Sequence, residues 1–374
     1  MDLLQIDTTR KDHVRRFIQL PLRLYRASRQ WVPPILSDMR LQLNRQKHPY
    51  YQHSDADFFL AVQDGEDVGR ISVLENRNYN DCHHSRTAFF YHFECNEDPA
   101  VAAALFQRAL TWASVRGLNK VIGPKGLGLL DGMGFLVDGF DQRAAMTMML
   151  YNPPSYPAFA EAAGFVKEVD FVSCRLAAQQ FTLPERIHGI ADKVTARGQL
   201  RVVTFRNKAE LRAMAPRIGQ AYNQAFVDNW EYIPFTDAEL ELVTNDLVTI
   251  ADPKLIKIIL HQDDVVGFLF AFPDLSAALQ RSKGRLFPFG LIDLLREYRR
   301  TDWVIVNGAG ILSQYQGRGG NALLYSEMEK TIKQAGFAYA DLTQVAETAV
   351  QMRRDLENLG GVPYKNHRVY GREI

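Results

Sequence analysis

The sequence predicts an α/β (α+β) fold of two tandem domains, each with a mixed, twisted sheet flanked by helices. Three observations predict it: the chain length, the interleaved strand and helix patterns, and a set of segments that recurs in the same order in both halves. With 374 residues, 47% hydrophobic and 23% charged, the chain exceeds one ordinary domain and can bury substantial cores. Interleaved strands and helices are typical of layered sheet–helix architectures.

The first recurring segment is a β-hairpin. The sequence FFLAVQDGEDVGRISVL at 58–74 has two strand-like runs around an Asp-Gly turn, and KIILHQDDVVGFLFAF at 257–272 has the same plan. The two align when Val68-Gly69 is matched with Val266-Gly267. A single pair of hairpins is a weak signal, so the case for duplication depends on the segments after each hairpin.

Two further segments recur after the hairpins. An amphipathic helix, a glycine and a strand are predicted at 103–124 and again at 322–343. A helix end followed by a strand is predicted at 161–171 and again at 357–367. Three matches in the same order favour duplication over coincidence.

The predicted boundary follows Arg175. The segment AAQQFTLPERIHGIADKVTARGQ predicts a connector helix with Pro184 near its first turn, and LRVVTF at 200–205 predicts the strand that opens the second half. We therefore predict an N-terminal domain at 1–178 and a C-terminal domain at 179–374.

Charge and cysteine content limit the classes of partner. Lys and Arg number 44 against 43 Asp and Glu, a net charge of +1, which argues against a broad nucleic-acid surface. No apolar run reaches the roughly 18 residues of a membrane span, and the N-terminus lacks a signal-peptide pattern. The three cysteines, Cys82, Cys95 and Cys174, form no CxxC motif. We expect a cytoplasmic monomer or homodimer without nucleic-acid or membrane partners.

A glycine-rich loop near the C-terminus is the main candidate site. The apolar run WVIVNGAGIL at 303–312 predicts a buried strand, and residues 322–335 carry apolar positions at helical spacing. Between them stand Gln316, Gly317, Arg318, Gly319, Gly320 and Asn321. Glycines turn successive N–H groups toward one point, and a helix start adds unpaired donors and partial positive charge. The loop is predicted to bind an anion such as a pyrophosphate; the alternative is a plain turn with a solvated arginine.

This arrangement resembles the GNAT superfamily of acyl-CoA-dependent N-acyltransferases. In that family a Q/R-x-x-G-x-G/A loop after the fourth strand wraps the CoA pyrophosphate, and here Gln316 to Asn321 match it except that Asn321 stands where Gly or Ala is usual. The resemblance covers the second half well and the first half in layout only. The whole chain is similar to bacterial tandem-GNAT proteins of about this length, whose substrate is unassigned.

The resemblance implies where the rest of CoA would lie. The pantetheine arm would follow Asn307, Gly308, Ala309, Gly310 and Ile311, where the glycines leave backbone groups open. The first half has no counterpart of the phosphate loop, because its glycine-rich segment at 123–139 follows the wrong strand. That segment is interpreted as a connection to AAMTMMLY at 144–151. One CoA site, in the second half, is therefore expected.

The catalytic residues are the least determined part of the resemblance. Many family members use a Tyr before the "GF" that ends the last helix, but Leu356 and Ala160 stand at the two such positions here. The Asn that often follows the fifth strand is replaced by Ala349. Glu347, at the end of the predicted strand, is the candidate general base, although an exposed helix-start carboxylate is the simpler interpretation. Tyr364, His367 or Tyr370 could serve as the acid or could simply pack. Water-mediated proton transfer would need none of them.

Three other segments carry candidate functions or simpler interpretations. Trp230, Tyr232 and Phe235 precede a helix capped by Thr236 and are predicted to line the acceptor groove that the resemblance implies, or to pack in the core. The run DCHH at 81–84 does not have ligand spacing, so no metal is expected. The run REYRR at 296–300 is interpreted as a solvated helix face.

The resemblance implies a transferase that moves an acyl group, acetyl in the simplest case, from CoA to a small-molecule or peptide amine by direct attack on the thioester. Two alternatives stay open. One is a non-catalytic module that binds CoA or acyl-CoA. The other is a transferase with a long-chain acyl or aminoacyl donor, although the near-neutral charge weakens a tRNA-borne donor.

Overall fold

A computed structural model describes residues 1–128, 131–145, 148–227, 229–230 and 232–374, without the side chains of residues 246, 249 and 250. Mixed α/β structure fills this part of the chain, as the sequence predicts. Within it, no helix combines the length and the apolar character needed to cross a bilayer.

The elements alternate along the chain as the repeats predict. The first half contains β1 (Asp2–Gln5), α1 (Lys11–Leu24), α2 (Leu36–Gln42), β2 (Asp55–Gln63), β3 (Glu66–Glu75), α3 (Arg77–His83), β4 (Thr87–Cys95), α4 (Pro99–Val115), β5 (Lys120–Gly123), β6 (Phe135–Asp138), α5 (Ser155–Ala162) and β7 (Val166–Leu176). The second half contains α6 (Glu185–Arg197), β8 (Arg201–Thr204), α7 (Lys208–Ala225), α8 (Asp237–Ile250), β9 (Ile256–His261), β10 (Asp264–Pro273), α9 (Ser276–Ser282), α10 (Gly290–Tyr298), β11 (Trp303–Ile311), α11 (Gly320–Ala335), β12 (Tyr339–Ala346), α12 (Val350–Asn358) and β13 (Val362–Glu373).

The chain forms two compact units that are discontinuous in sequence. The first unit comprises residues 1–172, 275–299 and 364–374, and the second comprises 173–274 and 300–363. Thus α9, α10 and most of β13 come from the second half of the chain but belong to the first unit. The predicted boundary at 178/179 between two ancestral domains stays a prediction about the duplication, because compact units and repeats need not coincide.

The first unit is built on a sheet with the strand order β1-β2-β3-β4-β5-β13-β7, and β6 pairs with β13. Strands β4 and β5 are parallel, whereas β2, β3 and β4 pair antiparallel in sequence. The helices α4 and α5 pack on this sheet around aromatic side chains that are fully buried, among them Phe59, Phe90, Phe106 and Tyr156. This is an ordinary apolar core, and its burial stabilises the unit.

The second unit is built on a sheet with the order β8-β9-β10-β11-β12. Strands β11 and β12 are parallel and the other neighbours are antiparallel. Helices α7 and α8 pack on one face around Leu211, Ile218 and Phe268. Thr236 caps α8 in a capping box with Glu239, as the sequence predicts for the cap.

The recurring segments are confirmed as elements. The hairpins are β2–β3 and β9–β10, and the helix–glycine–strand repeats are α4–β5 and α11–β12. The third repeat corresponds to α5–β7 and α12–β13. The predicted connection after β5 contains the short strand β6, and the expected segment at 144–151 lies partly outside the described residues.

Candidate functional site

A fork between two parallel strands is the central feature of the second unit. The β11–β12 ladder ends where Val306 faces Leu342, although β11 continues to Ile311 and β12 to Ala346. In the described part of the chain, the ladder partners of residues 309–311 all lie in β10. The edge of β11 that faces away from β10 therefore presents backbone groups to which an extended ligand can hydrogen-bond.

A β-bulge in β11 lies at the mouth of this fork. Leu269 of β10 faces Ala309, whereas Ala271 faces Val306, so β11 holds one extra residue between the two pairs. Gly308 sits in the bulge with φ +83°, a conformation that side-chain-bearing residues rarely adopt. The bulge changes the direction of the β11 backbone at the point where the β11–β12 ladder ends.

Side chains mark the branching point of the fork. Asn307 Nδ2 donates to Thr343 Oγ1 at 2.8 Å, and this bond joins the two strands one residue beyond their last ladder pair. Thr343 in turn donates to the carbonyl of Val306 at 3.4 Å. These two hydrogen bonds set the position at which the strands separate, and a shift of either strand along the other would break them.

Gly308 and Gly310, which are predicted to leave backbone groups open to a ligand, are accommodated as glycines for different structural reasons. The positive φ angle of Gly308 favours glycine. At Gly310, a Cβ would lie 2.7 Å from Phe268 Cζ and 3.1 Å from Ala225 Cβ. Glycine at 310 therefore lets β11 pack closely on the core of its own unit, and the prediction that Gly310 serves the ligand stays untested.

The helix that follows the fork begins without a side-chain cap. Gly319 is the N-cap residue of α11 with φ +85°, and the described residues show no side-chain cap hydrogen bond at this helix start. The unpaired N–H groups and the helix dipole give this end a partial positive charge. Gly317 also takes a positive φ, +72°, and a Cβ there would meet no atom within 4 Å. The loop thus turns in open space just ahead of an anion-binding helix end.

Arg318 lies on an aromatic support. Its guanidinium carbon is 5.0 Å from the centroid of the Tyr315 ring, and the Tyr315 hydroxyl is 3.1 Å from His261 Nδ1. The Tyr315 ring is thereby held at its edge by His261 and at its face by Arg318. Arg318 itself is exposed, so its charge is presented at the loop rather than used in the core.

Neighbouring helices fix the start of α11. A Cβ on Gly319 would lie 2.7 Å from Val194 Cγ2 and 2.9 Å from Ile190 Cγ2, both on α6, so the N-cap is in close contact with that helix. His188 of α6 lies 3.0 Å from Ser326 Oγ and 3.1 Å from Glu329 Oε2 of α11. These contacts with α6 hold the start of α11 in place.

Asn321 is the one residue of the loop that departs from the pattern described in the sequence, and its side chain points to α12. Its Nδ2 donates to Asp355 Oδ2 at 3.2 Å, and the Tyr325 hydroxyl donates to the same oxygen at 3.0 Å. Burial, with Asp355 nearby, raises the pKa of Tyr325 well above its usual value. The Asn321 side chain is therefore directed toward Asp355, which leaves its backbone amide for a ligand.

The first unit repeats the fork but fills its bulge differently. The β4–β5 ladder ends at Phe89 opposite Ile122, and the register shift against β3 falls between the Arg70–Glu94 and Ser72–Tyr91 pairs. His92 occupies that bulge with φ +48°, and its Nδ1 lies 3.0 Å from Ser72 Oγ. Burial lowers the pKa of His92 well below its usual value. A buried imidazole thus stands where the second unit has Gly308.

The helix start after the first fork is acidic. Asp98 caps α4 by accepting from the amide of Ala100 at 2.8 Å, and Pro99 supplies no N–H at all. Glu97 precedes them and accepts from Ser155 Oγ at 2.7 Å. An open pocket of about 430 Å³ lies beside this helix start. Its lining carries charges of both signs, Arg23 and Arg26 beside Asp67 and Glu97. The helix start itself is less suited to a phosphate than that of α11, because Asp98 already accepts from the Ala100 amide and Pro99 has none.

The predicted base Glu347 lies in the turn directly after β12 and is half-buried. It belongs to the second unit, together with the predicted CoA residues 307–311 and 316–321. The structure therefore brings these predicted residues together in one unit. The role of Glu347 stays a prediction.

Tyr364 and His367 belong to the first unit. The Tyr364 hydroxyl is directed to Met149 Sδ at 3.6 Å within an apolar cluster. His367 is fully buried, its Nε2 lies 2.9 Å from the carbonyl of Leu150, and burial lowers its pKa to about 4. A buried neutral imidazole and a buried phenol are typical of packing. That Tyr364 or His367 acts as the general acid stays a prediction, and these buried surroundings do not favour it.

The residues predicted to line a groove lie in the loop between α7 and α8. Phe235 is held by Asn223, whose side chain donates to its carbonyl at 3.2 Å and accepts from its amide at 3.1 Å. Its ring packs on Tyr222 with centroids 5.6 Å apart. Trp230 and Tyr232 are half-buried in the same loop, which includes residues 228 and 231 outside the described set.

An aromatic cluster beneath the bulge was missed by the sequence analysis. Tyr222 of α7 and Phe226, the residue directly after that helix, pack on Phe268, which stacks on Phe270 with centroids 4.9 Å apart. Phe270 also lies 3.0 Å from the position of a Cβ on Gly308. Phe268 and Phe270 belong to the predicted hairpin segment, but only the bulge shows which part of β11 they support.

No group of three or more His, Cys, Asp or Glu side chains able to hold a metal occurs within the described ranges. The run DCHH spans the end of α3, where His83 packs against Tyr79 with centroids 4.3 Å apart. The second unit thus places an uncapped helix start, which is suited to an anion, after an open strand edge.

Two curated proteins are similar to this chain over its whole length. Protein YghO of Escherichia coli K12 is 27% identical over 372 residues, covering 97% of this chain and 94% of that protein. A bacterial ceramide synthase of Caulobacter vibrioides is 27% identical over 382 residues, covering 100% and 98%. No family model matches the chain.

Solved structures share the fold at low sequence identity. A tandem GNAT protein from the clavulanic acid biosynthesis pathway superposes with a TM-score of 0.57 at 12% identity, covering 100% of this chain and 98% of that one. A GCN5-related N-acetyltransferase from Anabaena variabilis gives 0.51 at 8% identity, covering 99% and 72%. Similarity at this level establishes the fold and leaves the activity to be argued from the site.

Proposed function

We propose, for a chain that has the tandem GNAT fold, that it is an acyl-CoA-dependent N-acyltransferase with its donor site in the second unit. The observation that carries the proposal is the uncapped start of α11 at Gly319, placed directly after a fork in the sheet. An anion site and an adjacent open strand edge suit a donor with a diphosphate joined to an extended, amide-containing arm.

The diphosphate would lie on the amides of residues 317–322. Arg318 adds a mobile positive charge, and charge-assisted hydrogen bonds of this kind contribute about 1.5–3 kcal/mol each. Tyr315 limits the directions that the guanidinium samples, because the ring lies under it. The arm would then run along the exposed edge of residues 308–311 and place the thioester near the bulge.

The reaction would be a direct acyl transfer. The amine nitrogen attacks the thioester carbonyl, the C–N bond forms, the C–S bond breaks, and CoA leaves as the thiol after receiving a proton. Backbone N–H groups beyond the end of the ladder would stabilise the developing oxyanion. Glu347 is the residue that we propose as the base, since it follows β12 on the far side of the fork.

Two pairs of acyl donor and amine acceptor are candidates. Acetyl-CoA with a polar amine is the simplest case for the fold. Whole-length similarity to a ceramide synthase favours the second, a long-chain acyl-CoA with a long-chain amino alcohol, because a ceramide is the N-acylated form of such a base. Both use the same donor site, so the difference lies in the acyl chain and the acceptor.

The test is turnover with a matched set of donors. Purified protein is mixed with acetyl-CoA or palmitoyl-CoA and either a panel of polar amines or a long-chain amino alcohol, and free thiol is followed. We expect amine-dependent thiol release with one donor class, and its loss in Glu347→Gln with CoA affinity unchanged.

Two outcomes would contradict the proposal in different ways. CoA binding by calorimetry without turnover for any pair would indicate a binding module, the second function class left open by the sequence. Absence of CoA binding altogether would remove the donor site and the transferase with it. Turnover that survives Glu347→Gln would remove only the assigned base.

A further inference from the structure

The helix α10 and the loop before it expose large apolar side chains. Phe287 is 82% exposed, Phe289 75% and Leu295 60%, and Leu291 and Ile292 are also more than two-fifths exposed. Single exposed apolar residues are ordinary on protein surfaces. Five within nine consecutive positions concentrate exposed apolar surface in one short segment, here called the apolar patch, and such a concentration is typical of an interaction surface.

The patch is on one side of α10 because the helix turns its acidic side inward. Arg281 of α9 forms a two-bond ion pair with Asp293, at 2.9 and 3.0 Å, and also pairs with Glu297. In an α-helix, positions 293 and 297 lie opposite 291, 292 and 295. The usual orientation of an amphipathic helix, with its apolar side on the core, is therefore reversed here.

The segment that carries the patch is firmly attached within the first unit. Gln280 Nε2 donates to the carbonyls of Arg29 and Trp31 at 2.8 and 2.9 Å. The amide of Leu36 donates to the carbonyl of Gly284 at 3.0 Å. A Cβ on Gly284 would lie 2.1 Å from the carbonyl oxygen of Pro34, so the turn after α9 lies directly on that segment. The exposed side chains thus project from a fixed base.

Basic side chains surround the apolar patch. Lys283, Arg285, Arg296 and Arg299 are exposed, and they form no ion pair with an acidic side chain in the part of the chain that the structure describes. Arg296 follows Ile292 by one helical turn at the margin of the apolar side, and Arg299, the C-cap residue after α10, follows Leu295 by one turn at the end of that side. The acids of the same helix are already neutralised by Arg281. The outward face is therefore apolar at its centre and cationic at its edges.

We propose that this face, defined as Phe287, Phe289, Leu291, Ile292 and Leu295 with Arg285, Arg296 and Arg299, binds the surface of an anionic lipid bilayer. Apolar side chains would enter the boundary between headgroups and acyl chains while the arginines contact lipid phosphates. The complementarity of charge favours a bilayer over a second copy, because two copies would bring these arginines together. The inference does not depend on the proposed reaction.

An interfacial helix needs no membrane-spanning length. The expectation that the protein has no membrane partner came from the lack of long apolar runs, and α10 is only a nine-residue helix. A short helix lies in the plane of the interface and is bound reversibly. A bilayer is also the place where a lipid amine and a long acyl chain would be found, should the second candidate reaction hold.

The test is flotation of the purified full-length protein with vesicles of phosphatidylcholine alone or with about 30% phosphatidylglycerol. We expect binding to the anionic vesicles and at least about tenfold weaker partition to the neutral ones. Phe289→Ser/Leu295→Ser and Arg296→Glu/Arg299→Glu should each lower partition about tenfold or more. All four positions are exposed, so the melting temperature should not change.

Matched controls separate the patch from general effects. Val115, 80% exposed at the end of α4, gives the apolar control Val115→Ser. Arg212 and Arg217, exposed on α7, give the charge control Arg212→Glu/Arg217→Glu. Both controls should bind as the wild type does.

Three results would overturn the inference. The first is no binding of the wild type to anionic vesicles, and the second is equal binding to neutral and anionic vesicles. The third is a concentration-dependent dimer, seen by light scattering without lipid and lost in Phe289→Ser/Leu295→Ser, which would make the face an interface between copies. A loss of CoA affinity would bear only on the proposed function, since vesicle binding is measured without CoA.

Discussion

The starts of α4 and α11 occupy the same place in the two repeated halves, after a bulged strand and a fork, yet their chemistry is opposite. α11 begins at an uncapped Gly319 preceded by Arg318, whereas α4 begins at Asp98, Pro99 and Glu97. One duplicated fold thus carries an end suited to anions and an end that is already neutralised. The fold supplies the helix end in both halves, and a few residues decide its use.

The largest effect on CoA affinity is expected when the start of α11 receives the negative charge that the start of α4 carries. Arg318→Glu places a carboxylate where the first unit has Glu97, and we expect CoA affinity to fall at least about 100-fold, because one charge-assisted contact is lost and a repulsion is added. The side chain is exposed, so the melting temperature should stay within error of the wild type. Isothermal titration calorimetry with CoA measures the change.

The matched control reverses the charge in the first unit. Glu97→Arg should leave CoA affinity unchanged, since α4 keeps its Asp98 cap and its Pro99. An equal loss of affinity in both variants would indicate a general charge effect. A change of affinity in Glu97→Arg with none in Arg318→Glu would indicate that the donor site lies in the first unit.

An intermediate effect is expected at the bulge. Gly308→His copies His92 of the first unit, and His accepts a positive φ more readily than branched residues do. The imidazole would obstruct the path of the pantetheine arm but not the diphosphate site. We expect affinity for CoA to fall about tenfold, while affinity for 3′,5′-ADP, which lacks the arm, stays the same. Equal losses for both ligands would show that the arm does not pass Gly308.

The weakest effect concerns the acid stability of the first unit. His367 has a pKa of about 4 in the folded protein because burial disfavours its charged form. The unfolded chain would bind a proton near pH 6.5, so this stability is complete above that pH and is lost as the pH falls toward 4. The free energy of unfolding should fall with a slope approaching about 1.4 kcal/mol per pH unit from this group.

Urea unfolding at several pH values measures that slope, with fluorescence of Trp112 in the core of the first unit as one probe. His367→Gln should be less stable at pH 7 but should have a smaller slope between pH 6.5 and 5. An unchanged slope would mean that His367 is protonated in the folded protein, and it would revive its candidacy as an acid.

Local patterns were sufficient to predict the elements and their duplication. Hairpins with Asp-Gly or Gln-Asp turns and the helix–glycine–strand units are encoded within short stretches, and the structure has them at the predicted positions. The glycine-rich loop before α11 could also be predicted, because glycines before a helix are a local signal; its role in binding phosphate stays a prediction. For the same reason the capping box at Thr236 could be read from four residues.

Contacts between residues that are distant in sequence could not be predicted from local patterns. The pattern of α10 predicts an amphipathic helix but does not say that Arg281 will hold its acidic side inward. Nor does it say that Gln280 will attach α9 to the first unit. The end of the β11–β12 ladder at Val306 is likewise set by strand twist and by the bulge, which depend on neighbours distant in sequence.

A crystal of the protein soaked with CoA would compare the two helix starts in a single experiment. We expect density for the diphosphate within hydrogen-bonding distance of the amides at 317–322, with Arg318 turned toward it and the arm along 308–311. Density at the start of α4, or a ligand elsewhere with the α11 amides unoccupied, would refute the assignment of the donor site to the second unit.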